Sequence, residues 1–449
     1  MAPARRRRAE APAETVGTSL ILAGRALVHG RLEPVEIAIG DDGRIASVGK
    51  VRTGAPRRDL GDAVILPAAT DLHVHFRDPG GPLAAESFAT GTIAAAIGGV
   101  GLIADMPNTL PPVTDRERLE EKAARVPGRA AIDVLLYAAA SESAAIESLG
   151  RFAGGFKMYL SPTTGIERAP LPAGLPGLFG RVAETGLALS VHAEDPDRFS
   201  AGTSAADPVG WNAVRPIAAE LAAIDRLASA PPSLRCNVAH ITSVTALRRA
   251  VGVAAASEVT PHHLLLSDAS GTGGRFKVNP PLRAERERGA LWTAFAQGEI
   301  PFLASDHAPH PAAEKDAPFD RAPSGVPGVE TMLPLLLERV RAGALDLGTL
   351  VRAAIDRPAR WLGQPMGRLA PGHRAHLVVV DFRARRRLAG AHLHSACGWT
   401  PFEGWEAVLP REHYRDGERI VEAGEYVGSP TGRVVRPDYA RPPSPAASR

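Results

Sequence analysis

AVILPAATDLHVHFRDPG (Ala63–Gly80) decides how the rest of the chain is read. An apolar run, AVILP, leads into a second short run that at once presents His73, His75, Arg77 and Asp78. Side chains on an extended segment alternate faces, so His73 and His75 point the same way and can share one target. The same alternation places Arg77 on that face. An isolated His-x-His pair reads as surface or hydrogen-bonded histidines, so what the rest of the chain supplies decides the matter.

Working outward, seven further apolar runs recur: GVGLIADMPN, AIDVLLYAAA, GGFKMYLS, GLALSVHAED, LRCNVAHITS, ASEVTPHHL and IPFLASDHAPH. Helix-like segments such as ESFATGTIAAAI, PIAAELAAIDRLA and VETMLPLLLERVRA lie between most of them. Alternating strand and helix predicts a parallel sheet, and eight such units predict an α/β fold, a distorted (β/α)8 TIM barrel over residues 67–366. Both flanks differ from this centre. SLILAGRALV, PVEIAIG and RIASVG, broken by GDDG, are matched near the other end by HLVVVDF and ERIVEAGEYV. They predict a small β-sandwich assembled from residues 17–66 and 367–440. Residues 1–16 read as a disordered basic arm and 441–449 as a flexible tail. No fixed-period repeat is present, which excludes a solenoid.

A chain of 449 residues is too long for one small core, consistent with two domains. Hydrophobic residues at 45% and charged residues at 22% describe an ordinary globular protein. The net charge of +3 is mostly the arm, where Arg5–Arg8 outnumber Glu10 and Glu14. The remainder is near neutral, which argues against nucleic acid as a partner. No apolar run is long enough to span a bilayer, and no signal peptide precedes the fold, so the expected location is the cytoplasm. Cys236 and Cys397 are the only cysteines, too few for a disulfide framework or a thiolate metal site.

His73, His75, Asn108, Lys157, His192, His240 and Asp306 follow the apolar part of their runs. In a (β/α)8 barrel the C-terminal strand ends form the active-site face, so these residues gather at one mouth. Four imidazoles and a carboxylate suit zinc. A lone lysine at a strand end can simply extend its ammonium to water. Desolvation beside cations instead frees the neutral amine of Lys157, which adds carbon dioxide to give a carbamate able to bridge two metals. Two divalent ions less a carbamate, Asp306 and a hydroxide leave one positive charge. With Arg77 nearby, that favours an anionic substrate.

The series DLHVHFRDPG, ADMPNTLPPV, GGFKMYLS, SVHAED, NVAHITS, EVTPHHLLL, KVNPPLR, ASDHAPH, SGVPGVETMLPLLL and HSACGWTPFEG resembles the class I dihydroorotases of the amidohydrolase superfamily, from about Ser19 to Val435. The resemblance implies a reversible cyclisation of N-carbamoyl-L-aspartate to L-dihydroorotate in de novo pyrimidine synthesis. It implies two zinc ions, one held by His73, His75 and Asp306 and the other by His192 and His240, bridged by N6-carboxylated Lys157. Asp306 is then also the general base and acid. Arg77, Asn108 and His310 would bind the substrate carboxylate, and Asn279 with the backbone around Pro323–Gly325 would meet the ring edge. The chain departs from the family at PAATD, where Ala68 replaces a glycine, and at GPLAAESF, which keeps Glu86.

Allantoinases and hydantoinase/dihydropyrimidinases resemble the same barrel and ligand set. Arg77 separates them, since their rings lack a carboxylate for a buried guanidinium to meet. A non-catalytic scaffold for aspartate transcarbamoylase is the reading from another class, but all six ligand positions are kept here. A second copy of the chain and an aspartate transcarbamoylase are the candidate protein partners. His262, His263 and His307 read as supporting residues.

Overall fold

The structure is a computed structural model and describes residues 17–81, 85–163, 172–200 and 204–439. The basic arm and the C-terminal tail lie outside the described residues.

Eight strands run parallel in sequence order: β1 (Ala69–Val74), β2 (Val100–Asp105), β3 (Asp133–Ala139), β4 (Gly155–Tyr159), β5 (Leu189–His192), β6 (Cys236–Val238), β7 (Ala256–Val259) and β8 (Phe302–Leu303). All eight predicted runs are present. Strands covered on both faces read as continuous apolar stretches, which is why these runs stand out. Phe156 and Met158 of β4, for example, pack into the large core formed with the surrounding helices. The barrel closes through a single parallel bridge, Val74 to His307, rather than a full ladder. Asp71 reinforces that seam. Its Oδ1 accepts from the amides of His73 (3.1 Å) and Ser305 (2.9 Å), and His75 N–H donates to the His307 carbonyl at 2.7 Å.

Each strand is followed by a helix, from Phe88–Ile97 after β1 to Met332–Arg341 after β8. Ser87, Asp115 and Ser243 accept from backbone N–H groups in the first turns of three of them, supplying the acceptors that a helix start lacks. The helix after β3 is only Ile146–Leu149, so the α/β alternation is thin there.

The flanks combine as expected. An eight-stranded sheet joins Thr18–Val28, Arg31–Gly40, Ile45–Val48 and Arg57–Pro67 from one end to Leu377–Val380, Glu412–Arg415, Glu418–Glu422 and Glu425–Tyr426 from the other. Leu22, Ile37, Ile39 and Ile65 share one core with Leu377, Val379 and Tyr414. One stretch departs from the predicted division. Val434–Val435 leaves this sheet and pairs in parallel with β3, because it continues past Gly432 onto the start of that strand. Among the described residues, no helix is long and apolar enough to cross a membrane.

Candidate active site

Lys157 lies in β4, His73 in β1 and His192 ends β5, while His75, His240 and Asp306 follow the ends of β1, β6 and β8. All six side chains line one cleft at the C-terminal mouth of the barrel. Two of the six stand in strained backbone, His240 at φ 40° and Asp306 at φ 46°. Left-handed geometry is unfavourable for residues with a Cβ and collects where a side chain must be aimed.

His73 Nε2 and His75 Nε2 are 3.1 Å apart, as two residues of one strand face should be. Asp306 Oδ1 lies 3.4 Å from the first and 3.1 Å from the second. The outer nitrogens set which atoms carry protons. His73 Nδ1 is 2.5 Å from Glu258 Oε1, and His75 Nδ1 is 2.6 Å from Asn108 Oδ1. An acceptor at each Nδ1 fixes the proton there and leaves both Nε2 lone pairs facing inward. Burial reinforces this by pushing His75 down to about 3, so it is neutral at ordinary pH. Two lone pairs and a carboxylate oxygen therefore face one another at close range. A cation satisfies all three, and the three donor atoms lie within 4.8 Å of one another, a set able to hold a metal ion.

On the opposite side His192 Nδ1 is 3.1 Å from His240 Nε2. Glu194 Oε2 takes the outer nitrogen of His192 at 2.8 Å, and Arg215 Nη2 donates to the same carboxylate oxygen at 2.5 Å. Desolvation lowers both imidazoles, His240 well below its usual value. His240 Nδ1 is buried and has no partner among the described residues. Lys157 lines the same cleft, with Nζ 3.1 Å from His73 Nε2. Desolvation is the main cause of its low pKa, about 8, against partial opposition from Glu258 and Asp306. Asp306 moves the other way: burial disfavours its charge, but His73 and His75 hold it well below the usual carboxylate range.

Arg77 reaches the cleft by a different route from the one its spacing suggested. β1 ends at Val74, and Arg77 adopts φ 54°, so a left-handed turn aims it rather than strand alternation. Its Nη1 donates to the Pro309 carbonyl at 2.8 Å, and its Nη2 lies 3.4 Å from His310 Nε2. Among the described residues no carboxylate forms an ion pair with it, and its buried Nε has no partner. Desolvation brings its pKa down to about 10.

Asn108, Asn279, Ser324 and Gly325 also line the cleft, with Tyr159, Thr163 and Ala308. Asn279 Oδ1 accepts from Trp211 Nε1 at 3.1 Å. His310 and Pro323 stand one step behind this lining: His310 Nε2 meets the Ser324 carbonyl at 3.1 Å, and the Pro323 carbonyl accepts from Lys315 Nζ at 2.7 Å. That ammonium also donates to the Lys277 carbonyl at 3.0 Å, tying the 310–325 loop to the KVNPP segment. Gly325 has φ 134°, and a Cβ there would meet the Ala308 oxygen at 2.5 Å, so only glycine fits.

Reading the sequence for ligands overlooked Glu258, Glu194 and Arg215. Glu194 is two residues from His192 in SVHAED, a spacing that signals it. Glu258 and Arg215 carry no local signal, since the fold brings them in from other strands and loops. His263, as expected, is tied to Thr260 (2.8 Å) and the Pro280 carbonyl (3.0 Å).

Comparison with known proteins agrees with this geometry. The dihydro-orotase-like family profile matches residues 62–159. The chain is 36% identical over 428 residues to the dihydroorotase of Halobacterium salinarum, covering 93% of this chain and 99% of that protein. It is 35% identical over 364 residues to the dihydroorotase of Bacillus caldolyticus, covering 77% and 84%. Among solved structures it is similar to the L-hydantoinase (dihydropyrimidinase) of Arthrobacter aurescens, with a TM-score of 0.86 at 25% identity over 93% of this chain and 100% of that one. The barrel is thus the one hydantoinases use, but relatives that match nearly end to end place the sequence more narrowly: the chain belongs to the dihydroorotase family.

Proposed function

We propose that this chain is a dihydroorotase, interconverting N-carbamoyl-L-aspartate and L-dihydroorotate. The observation that carries the choice of substrate is Arg77. It is a buried guanidinium at the cleft with no ion-pair partner among the described residues. An unpaired buried charge is costly, and a substrate carboxylate removes that cost. Hydantoins and dihydrouracils offer no such group, so Arg77 favours the acid over those rings.

In this reading His73, His75 and Asp306 hold one zinc ion, His192 and His240 hold a second, and carboxylated Lys157 lies between them. The inward lone pairs and the lowered pKa of the buried Lys157 amine support it. When bound, such a metal pair supplies Lewis acidity toward the ring amide at neutral pH. Glu258, Asn108 and Glu194 hold His73, His75 and His192 in the tautomers the metals need. Asp306 faces His73 and His75 through Oδ1, and its second oxygen takes the proton of the attacking water. As the new C–O bond forms and the ring C–N bond breaks, the same carboxyl delivers that proton to the departing nitrogen. Ring closure is the reverse. Asn279 and the Ser324–Gly325 backbone face the ring, with Arg77 and His310 at the carboxylate end.

The test compares turnover of L-dihydroorotate, allantoin and dihydrouracil by the purified metal-loaded enzyme, together with an Arg77→Met variant. Dihydroorotate should be the strongly preferred substrate. Arg77→Met should lose at least about 10²-fold in kcat/KM on it, the scale of losing a charged, bidentate contact. Faster turnover of either neutral ring would reject the assignment. A second expectation concerns Glu258→Gln, which keeps the shape but removes the charge behind His73. Its metal should be released to a chelator at about a 10-fold lower chelator concentration; unchanged retention would remove Glu258 from the account.

A further inference from the structure

Tyr159 follows Lys157 by two residues on β4, so both side chains face the mouth while Phe156 and Met158 face the helices. Its ring lies with the Lys157 ammonium 5.3 Å from its centroid and the His192 ring at 6.2 Å. The side chain lines the cleft and is 5% exposed. Its hydroxyl is buried and, among the described residues, has no hydrogen-bond partner. Elsewhere in the fold, Tyr414 and Tyr439 place theirs on the Glu412 carboxylate and the Trp361 carbonyl, while Tyr426, away from the cleft, also buries an unpartnered hydroxyl. A phenylalanine would fill the same space without leaving a donor stranded, so the hydroxyl has no use within the fold itself.

The same cleft holds a second stranded donor, Arg77 Nε. The carboxylate lining the cleft, Asp306, turns Oδ1 to His73 and His75 and accepts a hydrogen bond from neither of the two stranded donors. Among the described residues, the cleft thus holds two buried donors, one on β4 and one on the turn after β1, and neither has an acceptor. A ligand carboxylate has two oxygens and can receive both.

We propose that Tyr159 is a substrate-anchoring residue, its phenol donating a hydrogen bond to the carboxylate of bound dihydroorotate or carbamoylaspartate beside Arg77. The proposal rests on the dihydroorotase reading given above and adds a neutral donor to the guanidinium. A neutral donor suits a group that must be released after each turnover, since it fixes direction without adding a second charge.

The experiment uses the metal-loaded full chain and its Tyr159→Phe variant, with L-dihydroorotate as the probe. KM should rise about 10-fold, the scale of one hydrogen bond to a charged group, with kcat within about threefold of the parent. Metal content should be unchanged, and Tm should be equal or higher, because the variant removes an unpartnered polar atom. A lower Tm would show that the hydroxyl is used inside the fold and would overturn the proposal. An unchanged KM, with or without a fall in kcat, would overturn it too, the latter by placing the phenol on the reacting amide instead. Failure here is separate from failure of the enzyme assignment, which is read from the parent protein's own turnover.

Discussion

Asp306→Asn is expected to lower kcat on L-dihydroorotate by about 10²- to 10⁴-fold, the range for removing a positioned acid–base group. The amide keeps an oxygen that can face His73 and His75, so metal retention should weaken far less than turnover. What the amide cannot do is accept a proton from water and return it to the ring nitrogen. Asp306 suits that task because of where it stands. Its Oδ1 lies within 3.4 Å of both His73 and His75, and strained backbone at φ 46° fixes its aim. Steady-state kinetics with metal analysis of the same sample checks the expectation. Near-normal kcat in a metal-loaded Asp306→Asn protein would remove Asp306 from proton transfer.

Lys157→Met is expected to cost at least about 10³-fold in kcat/KM and to lower the metal content, since in the proposed reading it removes the carbamate that both metals would share. Methionine fits the buried space, so a folded but metal-poor protein is the anticipated product. The unmodified residue gives a pH test with a definite sign. Only the neutral amine adds carbon dioxide. With its pKa lowered to about 8, that form is lost as pH falls below about 8 and is complete above it. Metal-free protein reconstituted with zinc at a fixed concentration of dissolved carbon dioxide should regain activity about tenfold more slowly for each unit below that point, and at a constant rate above it. Reconstitution that is equally fast without dissolved carbon dioxide would argue against a carbamate. A parent-like metal content and kcat/KM in Lys157→Met would remove the lysine from the site altogether.

Much of this architecture is legible in the sequence because parallel strands buried on both faces leave continuous apolar runs. β1 to β8 each coincide with one. The His73 and His75 pairing is legible too, since strand alternation is local and rigid. Arg77 shows where the same rule stops. Its spacing from His75 fits the strand face, yet the strand has already ended at Val74 and a left-handed turn does the aiming. Backbone turns of that kind depend on closure against β8 and leave no mark in a residue count. Glu258 behind His73, and Arg215 behind Glu194, were invisible for a related reason. Their partners lie far away in sequence, 185 residues in the case of His73 and Glu258. The Val434–Val435 pairing with β3 is equally long-range, and two valines near a chain end carry no signal of it.

In the proposed reading, six side chains from the ends of five strands form one two-metal centre acting on dihydroorotate. Metal content and L-dihydroorotate turnover, measured on one purified sample titrated with zinc from the metal-free state, test it most directly. The account predicts that activity rises with zinc and saturates near two ions per chain. Full activity with no bound metal, or two bound ions and no turnover of dihydroorotate, would contradict it.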